Sequence, residues 1–299
     1  MRMITLGAAV RELGADVTLS AHELPDALST LSALRGLRTS VRSAPQDSSE
    51  LAVEIPQAAY DAIVFDGYDF DHQVFRELTE RGDRPVIVDD NGDHADAPCV
   101  AILNPNLHAA AQMYNSNPTR PALLLGAEYA LIRPEVRETV VPSMKERSGV
   151  LLSLGGTDVL GRRDEIEERL QRHRAWVVTS AKGLIGASTT SAPEMARAMA
   201  RARVGLIAFG TTTWEALCLG LPIVGVIVAD NQVRVAESLA SAGLAPSFDL
   251  RSISDLTELV TELSELHDSE WLLAERSERG RSLIDGRGAN RVARFLCNL

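Results

Sequence analysis

The sequence predicts an α/β fold made of two doubly wound, Rossmann-like domains facing a cleft. Two observations carry this expectation. Short β-branched apolar runs alternate with segments of helical periodicity along the whole chain. A polar segment at 132–148, carrying Pro134 and Pro142, then separates two such series and reads as a domain boundary. The 299 residues are enough for two separate cores.

The elements follow in order. Residues 1–13 read as a helix, and apolar runs at 15–20 and 37–41 read as strands. A strand at 61–66 leads to a helix at 71–81, with Asp71 as its cap, and strands follow at 85–89 and 99–103. The second series opens with a strand at 149–154 and a helix at 163–172. Strands at 175–180, 204–208 and 223–228 alternate with helices at 212–219 and 232–242. Three helices near 254–266, 269–283 and 289–296 close the chain. The expected domains are 1–140 and 148–284, with 285–299 a terminal helix packing back on the first. A doubly wound domain normally opens with its central strand, and this chain opens with a helix. Without that strand a row of backbone groups inside the sheet loses its partners. The expectation is therefore that the first strand lies upstream of Met1.

Composition excludes several classes of function. Lys and Arg number 30 against 41 Asp and Glu, a formal net charge of −11, which disfavours broad binding to nucleic acid or anionic membranes. Aromatic residues are 4% of the chain, too few for base-stacking platforms. Lys145 and Lys182 are the only lysines, and neither sits in a phosphate-loop pattern. Cys99, Cys218 and Cys297 form no CxxC pair, which fits a reducing cytoplasm. No stretch approaches the ~20 apolar residues of a membrane span. Glu12 and Asp16 follow the apolar start with no small-residue cleavage site, against a signal peptide. The six histidines show no HxxxH or HExxH spacing, so no metal or other cofactor is expected. Oligomeric state is left open.

Ligands of doubly wound sheets bind beyond the carboxyl ends of the strands, and the loops there hold the motifs with chemical content. Gly155-Gly156-Thr157 follows a strand and precedes a helix; it reads either as an anion cradle of backbone N–H groups or as an ordinary turn capped by Asp158. Gly210-Thr211-Thr212-Thr213 opens the next such helix, where hydroxyls and N–H groups can hold a diphosphate. Glu215, one turn in, can accept both hydrogen bonds of a ribose diol; the alternative is that the threonines cap the helix and Glu215 offsets its dipole. Asp230, Asn231 and Gln232 follow a strand and suit either sugar hydroxyls or turn chemistry. Asp66, Tyr68 and Asp90 stand at strand ends of the amino half, where clustered carboxylates suit acid–base work or helix capping.

Taken in order, eight segments resemble the UDP-sugar hydrolases of pseudaminic-acid biosynthesis and the related spore-coat polysaccharide proteins. These lie in the two-domain glycosyltransferase-B (GT-B) superfamily, which includes the muramyl-peptide N-acetylglucosaminyltransferase. The segments are DGYDFD at 66–71, VDD at 88–90, LNPN at 103–106 and LLGAEYALIRPE at 124–135, then SLGGTD at 153–158, GTTTWE at 210–215, ADNQ at 229–232 and DGRGANR at 285–291. The resemblance implies that the carboxyl half binds UDP around Gly156 and Thr211–Thr213, with Glu215 near the ribose. It also implies that Asn231 acts at the reacting sugar beside Gln232, and that Tyr68 lines the amino-domain side of the pocket. The implied reaction is metal-independent release of UDP from a diacetamido-trideoxy sugar by water. A glycosyltransferase using the same donor, or a chain that binds nucleotide sugar without turnover, is the alternative. One departure stands out. The family opens with a strand and GxGHxxR, and Arg2 fits its closing Arg, so the family's catalytic His would fall just before Met1.

Overall fold

The computed structural model describes residues 1–41, 48–68, 70–156, 158–174, 176–180 and 191–299. The chain forms two compact units: Met1–Leu131 with Arg287–Leu299, and Ile132–Gly286.

The first unit runs α1 (Arg2–Glu12), β1 (Thr18–Ala21), α2 (Asp26–Leu34), β2 (Arg38–Val41), α3 (Ser48–Glu54), β3 (Ile63–Asp66), α4 (His72–Glu80), β4 (Pro85–Val88), β5 (Ala101–Asn104) and β6 (Ala122–Leu125). Its strands are parallel and form two sheets, β1-β2 and β3-β4-β5-β6. A doubly wound domain carries one sheet, and here β1 pairs only with β2 and β3 only with β4 among the described residues. Helix α1 packs on both. A Cβ at Gly7 would meet Val17 and Leu37 at 3.2 Å, while Leu6 and Ala9 join Val86, Val88 and Leu103 in one apolar cluster.

The second unit runs α5 (Pro134–Arg137), β7 (Val150–Ser153), α6 (Arg163–Arg174), β8 (Val178–Ser180), α7 (Ala192–Arg201), β9 (Val204–Ala208), α8 (Thr211–Cys218), β10 (Ile223–Ile227), α9 (Val233–Ser241), β11 (Ser247–Asp249), α10 (Thr257–Asp268) and α11 (Glu270–Leu283). Its five parallel strands are ordered β11-β10-β9-β7-β8. Strands β7, β9 and β10 are buried along their whole length, which explains their continuous apolar runs. One face of the sheet packs on Leu259, Val260, Leu263 and Leu273 of α10 and α11. The last helix, α12 (Gly288–Leu296), belongs to the first unit, where Ala289, Val292 and Leu296 join the cluster containing Leu6 and Ala9.

Strands β6 and β11 and helices α2, α3 and α7 were not expected from the sequence. The signal for α7 was present: Ser191 and Glu194 form a reciprocal capping box ahead of an Ala/Met stripe buried at Met195, Ala196, Met199 and Ala200. Residues 132–148 open the second unit. They are polar, yet Ile132, Arg133, Val136 and Arg147 are buried. The two buried guanidinium groups, Arg133 and Arg147, are bonded internally.

Candidate functional site

In the second unit the two glycine turns follow neighbouring strands. Strands β7 and β9 pair in parallel, Ser153 opposite Ile207, so Gly155-Gly156 and Gly210 leave the sheet side by side at one carboxyl edge. Gly155 has a φ of +88°, in the left-handed region that favours glycine. A Cβ built at Gly155, Gly156 or Gly210 would meet no atom of the described residues beyond its chain neighbours within 4 Å. Thr157 lies outside the described residues.

Helix α8 begins directly at Gly210, and its three threonines divide their labour. Thr213 is fully buried, accepts the Gly210 N–H on Oγ1 at 3.1 Å and donates its own N–H to the Gly210 carbonyl at 3.0 Å. Its hydroxyl serves the turn, which corrects the expectation that it reaches a diphosphate. Thr211 is exposed and Thr212 half-buried, leaving these two with the opening N–H groups of the helix at the surface. The far end of α8 is clamped. Arg147 donates Nη1 to the Gly220 carbonyl at 3.0 Å and Nη2 to the Leu219 carbonyl at 2.9 Å, satisfying carbonyls that the helix leaves unpaired. Burial, and then the nearby Arg281, lower the Arg147 pKa to about 10. Phe209, 2% exposed, fixes the start of the turn by lying over Gly225 of β10, where a Cβ would approach the ring to 1.9 Å.

Glu215 is buried and bonded to a residue the sequence did not single out. Arg133 donates Nε to Oε1 at 2.5 Å and Nη2 to Oε2 at 2.6 Å, and the two side chains are 7% and 5% exposed. Burial opposes the charge on Arg133, but the charge and hydrogen bonds of Glu215 raise its pKa on balance. Each Glu215 oxygen thus already accepts one bond from Arg133.

At the end of β10, Asp230, Asn231 and Gln232 form a short 3-10 turn. Asn231 is exposed. Gln232 turns back, its Oε1 accepting the Val228 N–H at 2.8 Å, so its amide oxygen holds the strand end. Asp230 projects from the turn and pairs with Arg251, whose Nη2 also meets Asp249 at 2.6 Å. Asp158 caps α6, accepting from Arg162 N at 3.2 Å and Arg163 N at 2.9 Å, the plainer of its two readings.

The first unit holds its own polar cluster, at the carboxyl ends of β3, β4 and β5. Arg2 donates Nη2 to Asp66 at 2.5 Å and Nη1 to Asp90 at 2.9 Å. Burial works against the Arg2 charge, but the hydrogen bonds and charges of Asp66 and Asp90 raise its pKa overall. Asp90 also accepts from Tyr68 Oη at 3.2 Å and Asn106 Nδ2 at 3.0 Å, and the ring of Tyr68 is 52% exposed. The sequence thus located Asp66, Tyr68 and Asp90, which the fold brings together, and missed Arg2 and Asn106 as their partners. The expectation that these carboxylates cap helices fails for Asp66 and Asp90 and holds for Asp71, which accepts the Gln73 N–H at 2.9 Å. Among the described residues no group of three or more His, Cys, Asp or Glu side chains is arranged to hold a metal ion. No helix among them is long and apolar enough to cross a membrane.

Solved structures align over almost the whole chain. MurG of Acinetobacter baumannii superposes with a TM-score of 0.64 at 13% identity, covering 100% of this chain and 95% of that one. The S. aureus MnaA–UDP co-structure superposes at 0.65 and 11% identity, covering 97% and 91%. The fold is that of the GT-B glycosyltransferases. In sequence, the chain is similar to the spore coat polysaccharide biosynthesis protein SpsG of Bacillus subtilis (strain 168), 22% identical over 272 residues, 82% of this chain and 79% of that protein. This is one of the two groups that the eight segments resemble. No family model matches the chain.

Proposed function

We propose that the chain is a nucleotide-sugar enzyme of surface-polysaccharide biosynthesis that hydrolyses a UDP-sugar, releasing UDP from a diacetamido-trideoxy-type hexose. The observation that carries this reading is the adjacency of the turns after β7 and β9 at one carboxyl edge. The backbone of the two turns and the start of α8 lie there, with no described atom near a Cβ built at Gly155, Gly156 or Gly210. Such a site suits a diphosphate, whose charge N–H dipoles and the Thr211 and Thr212 hydroxyls stabilise. SpsG supplies the polysaccharide context, and the UDP held by MnaA in its GT-B fold supplies the nucleotide.

In this reading water adds to the anomeric carbon as the bond from that carbon to the β-phosphate oxygen breaks. The electron pair leaves with UDP, and the N–H groups at Gly155, Gly156 and the opening of α8 stabilise the charge that develops there. Glu215 accepts the ribose hydroxyls, and exposed Asn231 acts at the sugar. A second reading, transfer of the sugar to an acceptor, uses the same donor site and is favoured by the likeness to MurG.

Incubation with a panel of UDP-sugars, followed by chromatography of UDP and free sugar, tests both. Equal amounts of UDP and free sugar without any acceptor support hydrolysis. Release that depends on an added acceptor establishes transfer. Failure to bind any uridine nucleotide by calorimetry removes both readings.

A further inference from the structure

Arg133 and Glu215 are 82 residues apart in sequence and make a two-bond fork in the interior of the second unit. A buried ion pair is weak evidence of a stability device, since matched apolar side chains of similar volume hold two elements together as well or better. This pair also leaves a donor unused: Arg133 Nη1 is buried with no hydrogen-bond partner among the described residues. A group left unsatisfied in this way needs a reason other than packing. The reason lies in what the fork does to the carboxylate. Each Glu215 oxygen has two lone-pair directions, and Arg133 takes one on each. The second direction on each oxygen is then fixed in space.

We propose that Arg133 positions Glu215 for a vicinal diol, acting through the carboxylate without touching the ligand. The proposal rests on the UDP-sugar reading above and names the part of the ligand that this pair reads: the 2′- and 3′-hydroxyls of the ribose. Loss of the fork should therefore remove discrimination between ribose and deoxyribose before it removes affinity for the diphosphate.

The test is calorimetric binding of UDP and 2′-deoxy-UDP to the full chain and to Glu215→Gln, Arg133→Met and Arg133→Lys, with thermal unfolding of each protein as the control. The wild-type protein is expected to bind UDP about tenfold or more tighter than 2′-deoxy-UDP, the worth of a hydrogen bond to a charged acceptor. Glu215→Gln should bring that ratio to within about twofold. Arg133→Met should do the same, and Arg133→Lys should give an intermediate ratio, because an ammonium keeps the charge without the fork. If Arg133→Met does not fold, Arg133→Lys decides: an unchanged ratio overturns the proposal. Equal losses for UDP and 2′-deoxy-UDP in the Arg133 variants overturn it as well, since they describe a phosphate ligand or a purely structural pair. A wild-type protein that binds neither nucleotide refutes the functional reading instead, so the two failures are distinguishable.

Discussion

Gly225→Ala is the most demanding test of how the glycine turn is built. Gly225 lies in the middle of β10, where no turn requires a glycine and where alanine would ordinarily add apolar contact. The structure reverses that expectation. A Cβ there would stand 1.9, 2.5 and 2.6 Å from three atoms of the Phe209 ring. Moving the nearest atom out to 3.0 Å requires a shift of about 1 Å in a close-packed interior, and Phe209 is 2% exposed. Overpacking of this size costs about 1–3 kcal/mol. Phe209 directly precedes Gly210, so the displaced ring also disturbs the turn that opens α8. Urea unfolding should show a midpoint lowered accordingly with an unchanged slope, and UDP affinity should fall in parallel. The double variant Phe209→Leu/Gly225→Ala should recover part of the loss, with a coupling of about 1 kcal/mol or more. A Gly225→Ala protein as stable as wild type, or strictly additive effects in the cycle, would show that the ring does not lie where its contacts place it.

Other expected outcomes follow from single contacts. Thr213→Val should lower stability by about 1 kcal/mol in denaturant unfolding, since it removes the acceptor of the Gly210 N–H. Thr211→Val, at an exposed position, should leave stability within about 0.5 kcal/mol and weaken UDP binding measured by calorimetry. Arg2→Met should destabilise the protein by about 3 kcal/mol, because Asp66 and Asp90 lose the cation between them. Unfolding of Arg2→Met/Asp66→Asn should show much of that loss restored. The three thiols should alkylate in a fixed order, followed by mass spectrometry. Cys297 is exposed and reacts first at pH 8. Burial, then the charges of Glu215 and Asp285, push the Cys218 thiol up to about 11, so about one part in a thousand is thiolate at that pH. Burial raises Cys99 to about 12, and both should react fast only near those pH values or on unfolding.

Much of the fold was legible because it rests on local signals. The strands at 204–208 and 223–228 and the helices after them announce themselves through runs of Val and Ile and through period-3.6 patterns, which neighbouring residues alone produce. The same holds for Gly155, Gly210 and Thr211–Thr213, whose placement after a strand and before a helix is a matter of adjacent residues. Strand β6 was missed because Ala122–Leu125 is a short leucine run that periodicity cannot assign. The boundary read at 132–148 coincides with the start of the second unit at Ile132, but the burial of Arg133 and Arg147 was not legible there, because charge in a sequence does not reveal whether a partner awaits it.

The candidate site divides along the same line. Residue type and order determined which side chains could serve a nucleotide: Glu215 one turn into α8, Asn231 after β10, and Asp66, Tyr68 and Asp90 at the strand ends of the first unit. Only the tertiary structure decided their bonding. Arg133 meets Glu215 across 82 residues, Arg2 meets Asp90 across 88, and Thr213 and Gln232 turn their polar groups onto the backbone. A hydrogen bond depends on distances of about 3 Å between atoms, and the chain brings such atoms together through the packing of sheets and helices. No pattern of neighbouring letters encodes that placement.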